Sequence, residues 1–291
     1  MICSLCGRQC RALRSETENT GGFCRMPLLP KIAKADLHFW EEPVISGTNG
    51  SGAVFFSGCP LSCVYCQNYG ISHEGYGKTV SYERLAEIFR ELERKGAHNI
   101  NLVNPTHYAP AVIKALDIYR PDIPIVYNTG GYDTVDTLKM LAGYIDIYLT
   151  DLKYLNSERS KLYSCAENYP EIAVSGIFEA VRQQPECVIQ DGIMKKGVII
   201  RHLILPQGTR EAISVFDWVY KNVPGSYFSI MSQYIPFGKA EDMPPINRKI
   251  TKREYEKVLD HIMQSEYDKV FIQENSSADG KYIPDFDLKG V

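Results

Sequence analysis

The sequence predicts an α/β fold of six β–α units, either a partial (β/α)6 barrel or an open doubly wound sheet, with a small N-terminal Cys-rich metal-binding lobe. Three observations carry this. From residue 53 onward, short β-branched runs alternate with amphipathic stretches, the pattern of parallel strands joined by helical crossovers. The chain has 291 residues, 44% hydrophobic and 23% charged, enough to bury a sizeable core in one main domain. Seven of its nine cysteines fall within the first 66 residues, in two closely spaced groups.

In chain order, residues 1–45 form the Cys-rich segment, 46–275 the barrel and 276–291 a C-terminal tail. Cys3, Cys6, Cys10 and Cys24 read C-x2-C-x3-C-x13-C. Four thiolates complete a tetrahedral set for structural zinc or a closed iron–sulfur cluster, and either would staple a lobe with little core of its own. Strands are expected near 53–57, 99–104, 123–128, 145–150, 197–205 and 227–233, with a seventh run at 269–273 closing or extending the sheet. The helix at 81–95 carries Leu85, Ile88, Phe89 and Leu92 on one face, Ser81 as N-cap and Gly96 just past a basic last turn. Further helices are expected at 110–119, 135–141, 171–183, 211–221 and 252–263. In either architecture ligands bind beyond the carboxyl ends of the strands.

Charge and hydropathy narrow the function. The net charge of −3 contains no long run of either sign, so there is no basic footprint for nucleic acid. No stretch reaches the roughly 18 apolar residues of a membrane span, and no leader is evident, so a cytoplasmic protein with no membrane partner is expected. Clustered thiols in such a chain point to metal ligation rather than disulfides, while the isolated Cys165 and Cys187 are expected as small buried residues. Gly77-Lys78-Thr79 is not a phosphate loop, because the first glycine that motif needs is Ser72.

The chemistry centres on Cys59, Cys63 and Cys66, a C-x3-C-x2-C directly after the first barrel strand. Three thiolates on a 4Fe-4S cluster leave one iron without a protein ligand, an open place for substrate or cofactor. Zinc with a fourth ligand is the rival.

The segment GCPLSCVYCQN resembles the cluster loop of the radical S-adenosylmethionine superfamily. That resemblance selects the partial barrel and implies that the open iron chelates S-adenosylmethionine, whose reductive cleavage gives a 5′-deoxyadenosyl radical. Cofactors carry such chemistry, and the protein orients and shields them. Tyr65 matches the aromatic residue that packs near the adenine. Asn104-Pro105-Thr106-His107 stands where the superfamily has a G-G-E segment, so Thr106 or a backbone carbonyl is expected to receive the amino group. Asn128-Thr129-Gly130-Gly131 and Asp151-Leu152-Lys153 resemble the D-T-N-G and D-L-K segments of glycyl-radical-enzyme activating enzymes, with Asn128 replacing an aspartate. There the two acids hold a cation beside the cofactor. Arg201-His202, ending at Pro206, is similar to their R-x4-P-G, which implies that Arg201 pairs with the cofactor carboxylate; His202 lies against the cofactor or in the core. Gln233 opens the segment expected to form the base-binding edge.

The N-terminal cysteines resemble the extra segment of uncharacterised proteins similar to pyruvate formate-lyase activating enzyme, and the resemblance spans residues 1–275. It implies a reductant such as flavodoxin or ferredoxin, and a hydrogen acceptor reaction that reaches a glycine in a partner glycyl-radical enzyme or else a small molecule or peptide. The reading from another class is a non-catalytic iron–sulfur or zinc redox scaffold, with a zinc hydrolase as a third.

Overall fold

Eight strands organise the chain in a computed structural model that describes residues 1–273 and 284–291. They are β1 (Lys31–His38), β2 (Ser51–Phe56), β3 (Ile100–Val103), β4 (Ile125–Thr129), β5 (Ile147–Asp151), β6 (Ile193–Leu203), β7 (Tyr227–Met231) and β8 (Val270–Ile272). The order across the sheet is β8-β7-β6-β5-β4-β3-β2-β1, with every pair from β2 to β8 parallel, β1 antiparallel against β2 and a two-residue edge at Lys78–Thr79 antiparallel beyond β1. The seven parallel strands match the seven expected runs. The last of them extends the sheet beside β7 instead of closing it, so among the described residues a seam stays open along β8.

Eight helices are used below: α1 (Pro43–Ser46), α2 (Tyr82–Arg94), α3 (Ala109–Ile118), α4 (Val135–Met140), α5 (Ser157–Ser164), α6 (Tyr169–Gln183), α7 (Thr209–Asn222) and α8 (Lys252–Met263). Helix α2 shows why the pattern folds as it does. The Ser81 hydroxyl accepts the Arg84 amide, and Leu85, Ile88, Phe89 and Leu92 are buried on one face. Such a cap contributes about 1 kcal/mol and each buried large aliphatic side chain roughly 1.5–3 kcal/mol.

Strand residues alternate between two apolar layers, as the pleat requires. Ile125, Tyr127, Tyr148, Ile200 and Phe228 face the helices. Val126, Ile147, Leu149 and Ile199 face the other way, where Val44 and Ile45 of α1 pack against them. The Asn99 side-chain amide donates to the Ile45 carbonyl at 2.7 Å and fixes this plug. Above it along the same inward rows come Asn101, Asn128, Asp151, Arg201 and Ser229, a polar layer toward the carboxyl ends of the strands.

Several expectations change. The segment expected to end at residue 45 contributes β1 to the main sheet and α1 to the barrel interior, because both bury apolar residues there. Helix α5 was not expected. Cys165 is exposed: it ends α5 in the left-handed conformation (φ 52°), and its backbone rather than its thiol is in use. Cys187 is half-buried. Of the expected tail, residues 276–283 lie outside the described residues, as do 274 and 275 of the expected barrel. The final residues dock on β1, with Ala35 donating to the Lys289 carbonyl at 2.8 Å and Leu288 to that of Ala33 at 3.0 Å. Among the described residues no helix is long and apolar enough to cross a membrane.

Candidate active site

The cysteine loop leaves the carboxyl end of β2 through Gly58, whose φ of 81° suits glycine and whose missing Cβ would lie 2.3 Å from the Met26 side chain. Just before it, His107 Nε2 donates to the Ser57 carbonyl at 2.8 Å; burial holds that imidazole neutral, with its pKa down to about 3. The far end of the loop is fixed by Val64 N–H donating to the Tyr163 carbonyl at 2.9 Å and Val64 C=O accepting from Ala240.

Each thiol of the loop already meets hydrogen-bonding partners. Cys59 Sγ accepts from Leu61 N–H at 3.4 Å and Asn104 Nδ2 at 3.5 Å. Cys63 Sγ lies 3.0 Å from Ser164 Oγ, and Cys66 Sγ 3.2 Å from Ser72 Oγ. Burial pushes the Cys63 thiol up to about 11 and raises Cys59 and Cys66 as well. Buried Cys63 and half-buried Cys59 and Cys66, with their raised pKa values, are inert as they stand and become ligands when a bound cation deprotonates them. Hydrogen bonds to sulfur tune iron–sulfur sites in the same way. The three sulfurs also open on a cavity of about 150 Å³. Among the described residues no three His, Cys, Asp or Glu side chains are gathered closely enough for a single metal ion. Three thiols of one loop on a shared cavity are the donor set of a cluster that keeps one iron open.

A second cavity, of about 250 Å³, adjoins the first and shares Cys63, Cys66, Asn128, Asp151, Lys153 and Arg201 with it. Tyr65 and Gln233 also line it. Its floor is an ion-pair network across three neighbouring strands. Arg201 Nε donates to Asp151 Oδ1 at 2.9 Å, NH1 to Glu41 Oε2 at 3.1 Å and NH2 to Asn128 Oδ1 at 2.7 Å. Lys153 Nζ meets Asp151 Oδ2 at 2.5 Å, and Glu41 Oε1 accepts from Asn128 and Asn101. Burial works to raise the Asp151 carboxyl, but the charges of Arg201 and Lys153 prevail and hold it below its usual range. Tyr65 reaches the cysteines indirectly: its hydroxyl lies 2.6 Å from that of Tyr154, which lies 3.0 Å from Ser164 Oγ, beside Cys63.

The structure thus gathers Tyr65, Asn128, Asp151, Lys153, Arg201 and Gln233 around one cavity with two of the three cysteines. Thr106 is elsewhere: fully buried, it donates to Asn104 and lies 3.2 Å from Thr129 Oγ1. His202 is buried behind β6 with Nδ1 at the Leu152 carbonyl, 2.7 Å away. Sequence reasoning missed Glu41, Asn101, Tyr154 and Ser164; Tyr154 directly follows the D-L-K segment, and no motif surrounds the other three.

The N-terminal lobe is bonded to this loop. Arg8 donates from Nε to the Pro60 carbonyl at 2.8 Å, from NH2 to Ser164 at 3.2 Å and from NH1 to Cys165. Cys3 and Cys6 are buried, Cys24 is half-buried and Cys10 exposed. Cys3 Sγ accepts from Arg14 NH1 at 3.5 Å, and burial pushes the Cys6 thiol up to about 12.

The model of the Radical SAM superfamily matches residues 53–197. The Uncharacterized protein MJ0674 of Methanocaldococcus jannaschii is 33% identical over 268 residues, covering 89% of this chain and 73% of its own. Among solved structures, Streptococcus suis SuiB superposes with a TM-score of 0.50 at 17% identity, over 77% of this chain and 48% of its own. HydG, a maturase of the FeFe hydrogenase, gives 0.49 at 13% identity, over 74% of this chain and 48% of its own. The chain therefore spans about half the length of these two structures.

Proposed function

Because the chain belongs to the radical S-adenosylmethionine superfamily, whose cofactors are a 4Fe-4S cluster and S-adenosylmethionine, we propose that Cys59, Cys63 and Cys66 hold the cluster and the adjoining cavity holds S-adenosylmethionine. When bound and reduced, the cluster supplies the electron that cleaves S-adenosylmethionine to the 5′-deoxyadenosyl radical. The single observation that carries the assignment is the shared wall: Cys63 and Cys66 line both cavities together with Asn128, Asp151, Lys153 and Arg201.

The residues around the cavity bind and shield. Asp151 stays ionised beside Arg201 and Lys153, so it offers a fixed negative charge to a sulfonium or ammonium group. Lys153 stays protonated, since the Asp151 charge outweighs the burial that would lower it. Its ammonium and the cavity face of Arg201 serve the cofactor carboxylate. Tyr65 and Gln233 bound the base. The buried aromatic wall excludes water, which a carbon radical requires.

The acceptor follows from the D-L-K and R-x4-P-G likenesses: a carbon–hydrogen bond, with the glycine Cα of a partner glycyl-radical enzyme as the first reading. The transferred hydrogen converts the radical to 5′-deoxyadenosine and leaves the radical on the acceptor carbon. A second reading, action on a small molecule or peptide, is favoured by a further cavity of about 470 Å³ next to the cofactor cavity. Cys3, Cys6, Cys10 and Cys24, not gathered as they stand, are read as ligands of a structural zinc or second cluster that draws them together and steadies the cluster loop through Arg8. An external reductant such as flavodoxin or ferredoxin completes the system.

The test is 5′-deoxyadenosine release by anaerobically reconstituted, reduced protein given S-adenosylmethionine. Release should vanish in Cys59→Ala, Cys63→Ala and Cys66→Ala, with about three or four irons per chain lost from the wild-type content. Release that survives in any of the three, or its absence from fully loaded wild type in the presence of reductant, would overturn the assignment.

A further inference from the structure

The open seam of the sheet has a lining that the radical chemistry alone does not explain. Between β8 and residues 39–43 lies the cavity of about 470 Å³, which meets the cofactor cavity along Trp40, Glu41, Arg201, Met231 and Gln233. This volume suits a ligand of roughly the size of an amino acid or a peptide end. Phe39 and Phe271 supply aromatic walls.

Its floor carries two carboxyl groups, Glu41 and Glu42, and one cation, Arg201, which is paired with Glu41 and Asp151. Arg201 places its bonds from Nε, NH1 and NH2 on Asp151, Glu41 and Asn128, and acts on Glu42 through its charge alone. Glu42 lines the seam cavity but not the cofactor cavity. It is only 8% exposed, and among the described residues its Oε2 has no hydrogen-bond partner. A buried carboxylate oxygen left unpaired is costly, and a ligand bearing N–H donors removes that cost. A protonated amine satisfies the oxygen, pairs with the charge that Glu42 then takes up and lies favourably against the aromatic walls, whereas an anion leaves the oxygen unpaired.

We infer that the seam cavity is the substrate site and that it takes a cationic ligand, a primary ammonium or guanidinium group seated on Glu42. The inference rests on the reading of the neighbouring cavity as that of S-adenosylmethionine, which places the ligand's carbon–hydrogen bonds beside the radical source. Burial raises the Glu42 carboxyl against the pull of Arg201, in keeping with a group that ionises fully only when a cation arrives.

The experiment is calorimetric titration of the full-length, cluster-loaded, unreduced protein, saturated beforehand with S-adenosylmethionine. Phenethylamine, 2-phenylethanol and 3-phenylpropionate are the probes, alike in shape and different in charge. The amine should bind at least about tenfold more tightly than the alcohol, and the carboxylate should not bind; a tenfold ratio is about 1.4 kcal/mol. Glu42→Gln should erase the amine preference. Glu42→Asp, which withdraws the carboxyl by one methylene with less risk to folding, should reduce it severalfold. Phe271→Ala, on the outer wall, should weaken amine and alcohol alike.

Equal binding of amine and alcohol, or a preference that survives both Glu42 variants, overturns the inference. So does loss of amine binding on saturation with S-adenosylmethionine, which would give the carboxylate to the cofactor's own ammonium. Amine binding in a protein that neither binds nor cleaves S-adenosylmethionine would sink the functional reading above while leaving the cation site in place.

Discussion

Arg201 bonds three elements at once: Asp151 on β5, Asn128 on β4 and Glu41 in the segment before α1. Its side chain is 14% exposed, and those of its acid partners are 11% and 12%, so solvent screens these pairs little. Removing one member of such a set leaves uncompensated buried charge. Arg201→Gln is therefore expected to lower the unfolding free energy by about 3–5 kcal/mol in urea titration. A loss below about 1 kcal/mol would mean that water reaches the network and screens it. The strand parity behind this site was legible in the sequence: Asn128, Asp151 and Arg201 all fall at the carboxyl ends of β-branched runs and share one face. Parity also shows why His202 takes the core alternative of the two expected for it. It follows Arg201 directly, so the pleat turns it to the opposite face. Thr106 fails differently, because residues 106–108 form a short 3-10 turn that buries its hydroxyl against Thr129. Glu41 and Glu42 were not legible at all. Their role depends on a plug entering the barrel, and nothing in the local sequence around Phe39 and Trp40 announces a partner 160 residues away.

Helix α2, α8 and the seven parallel strands were legible because period and caps agree with burial: Thr251 and Glu254 form a reciprocal capping box, and Ser81 caps α2. Elements that lack this agreement escaped. Helix α5 reads Ser-Glu-Arg-Ser-Lys-Leu-Tyr-Ser, polar almost all round, and it exists because its end packs on the cysteine loop: Ser164 reaches Cys63, and the Tyr163 carbonyl accepts Val64 N–H. Strand β1 holds few β-branched residues and gains its place from β2 and the docked tail. The contact between the N-terminal lobe and α5 makes a prediction at this scale. Arg8 binds the carbonyls of Pro60, Ser164 and Cys165, so it joins lobe, loop and helix end through three charge-assisted bonds. Arg8→Ala should raise hydrogen exchange at the Val64 amide by roughly tenfold or more, equivalent to about 1.5–3 kcal/mol of local protection. It should also speed cluster loss on exposure to air. Unchanged exchange at Val64 would show that the lobe is a passenger on the loop.

At the scale of the whole molecule, the chain's last residues return to the start of the sheet and to the cavity. Pro284 lines the cofactor cavity, and residues 286–291 lie along β1, with Phe286 packed on Phe55 of the neighbouring β2 and Lys289 bonded to Asp36 of β1. Asp36 is the electrostatic centre of this latch, with Lys95 at 3.0 Å and Lys289 at 2.5 Å, while Lys34 pairs with Asp287 at 3.2 Å. Partial burial works to raise the Asp36 carboxyl, but the two lysines prevail and hold it at about 2, below its ordinary 3.8. A depressed carboxyl contributes stability that is complete above the unfolded value and is lost as pH falls through the folded one. The latch should therefore hold unchanged from neutral pH down to about 4 and loosen between 4 and 2. Hydrogen-exchange protection at the Leu288 amide, which bonds the Ala33 carbonyl, reads this directly once corrected for the intrinsic pH dependence of exchange. Asp36→Asn should show the loosened state already at pH 7, and because Pro284 is a wall of the cavity, S-adenosylmethionine should then dissociate severalfold faster. Protection at Leu288 that is the same in Asp36→Asn as in wild type would assign the latch to the Phe286 contact instead, and would uncouple the chain's end from cofactor retention.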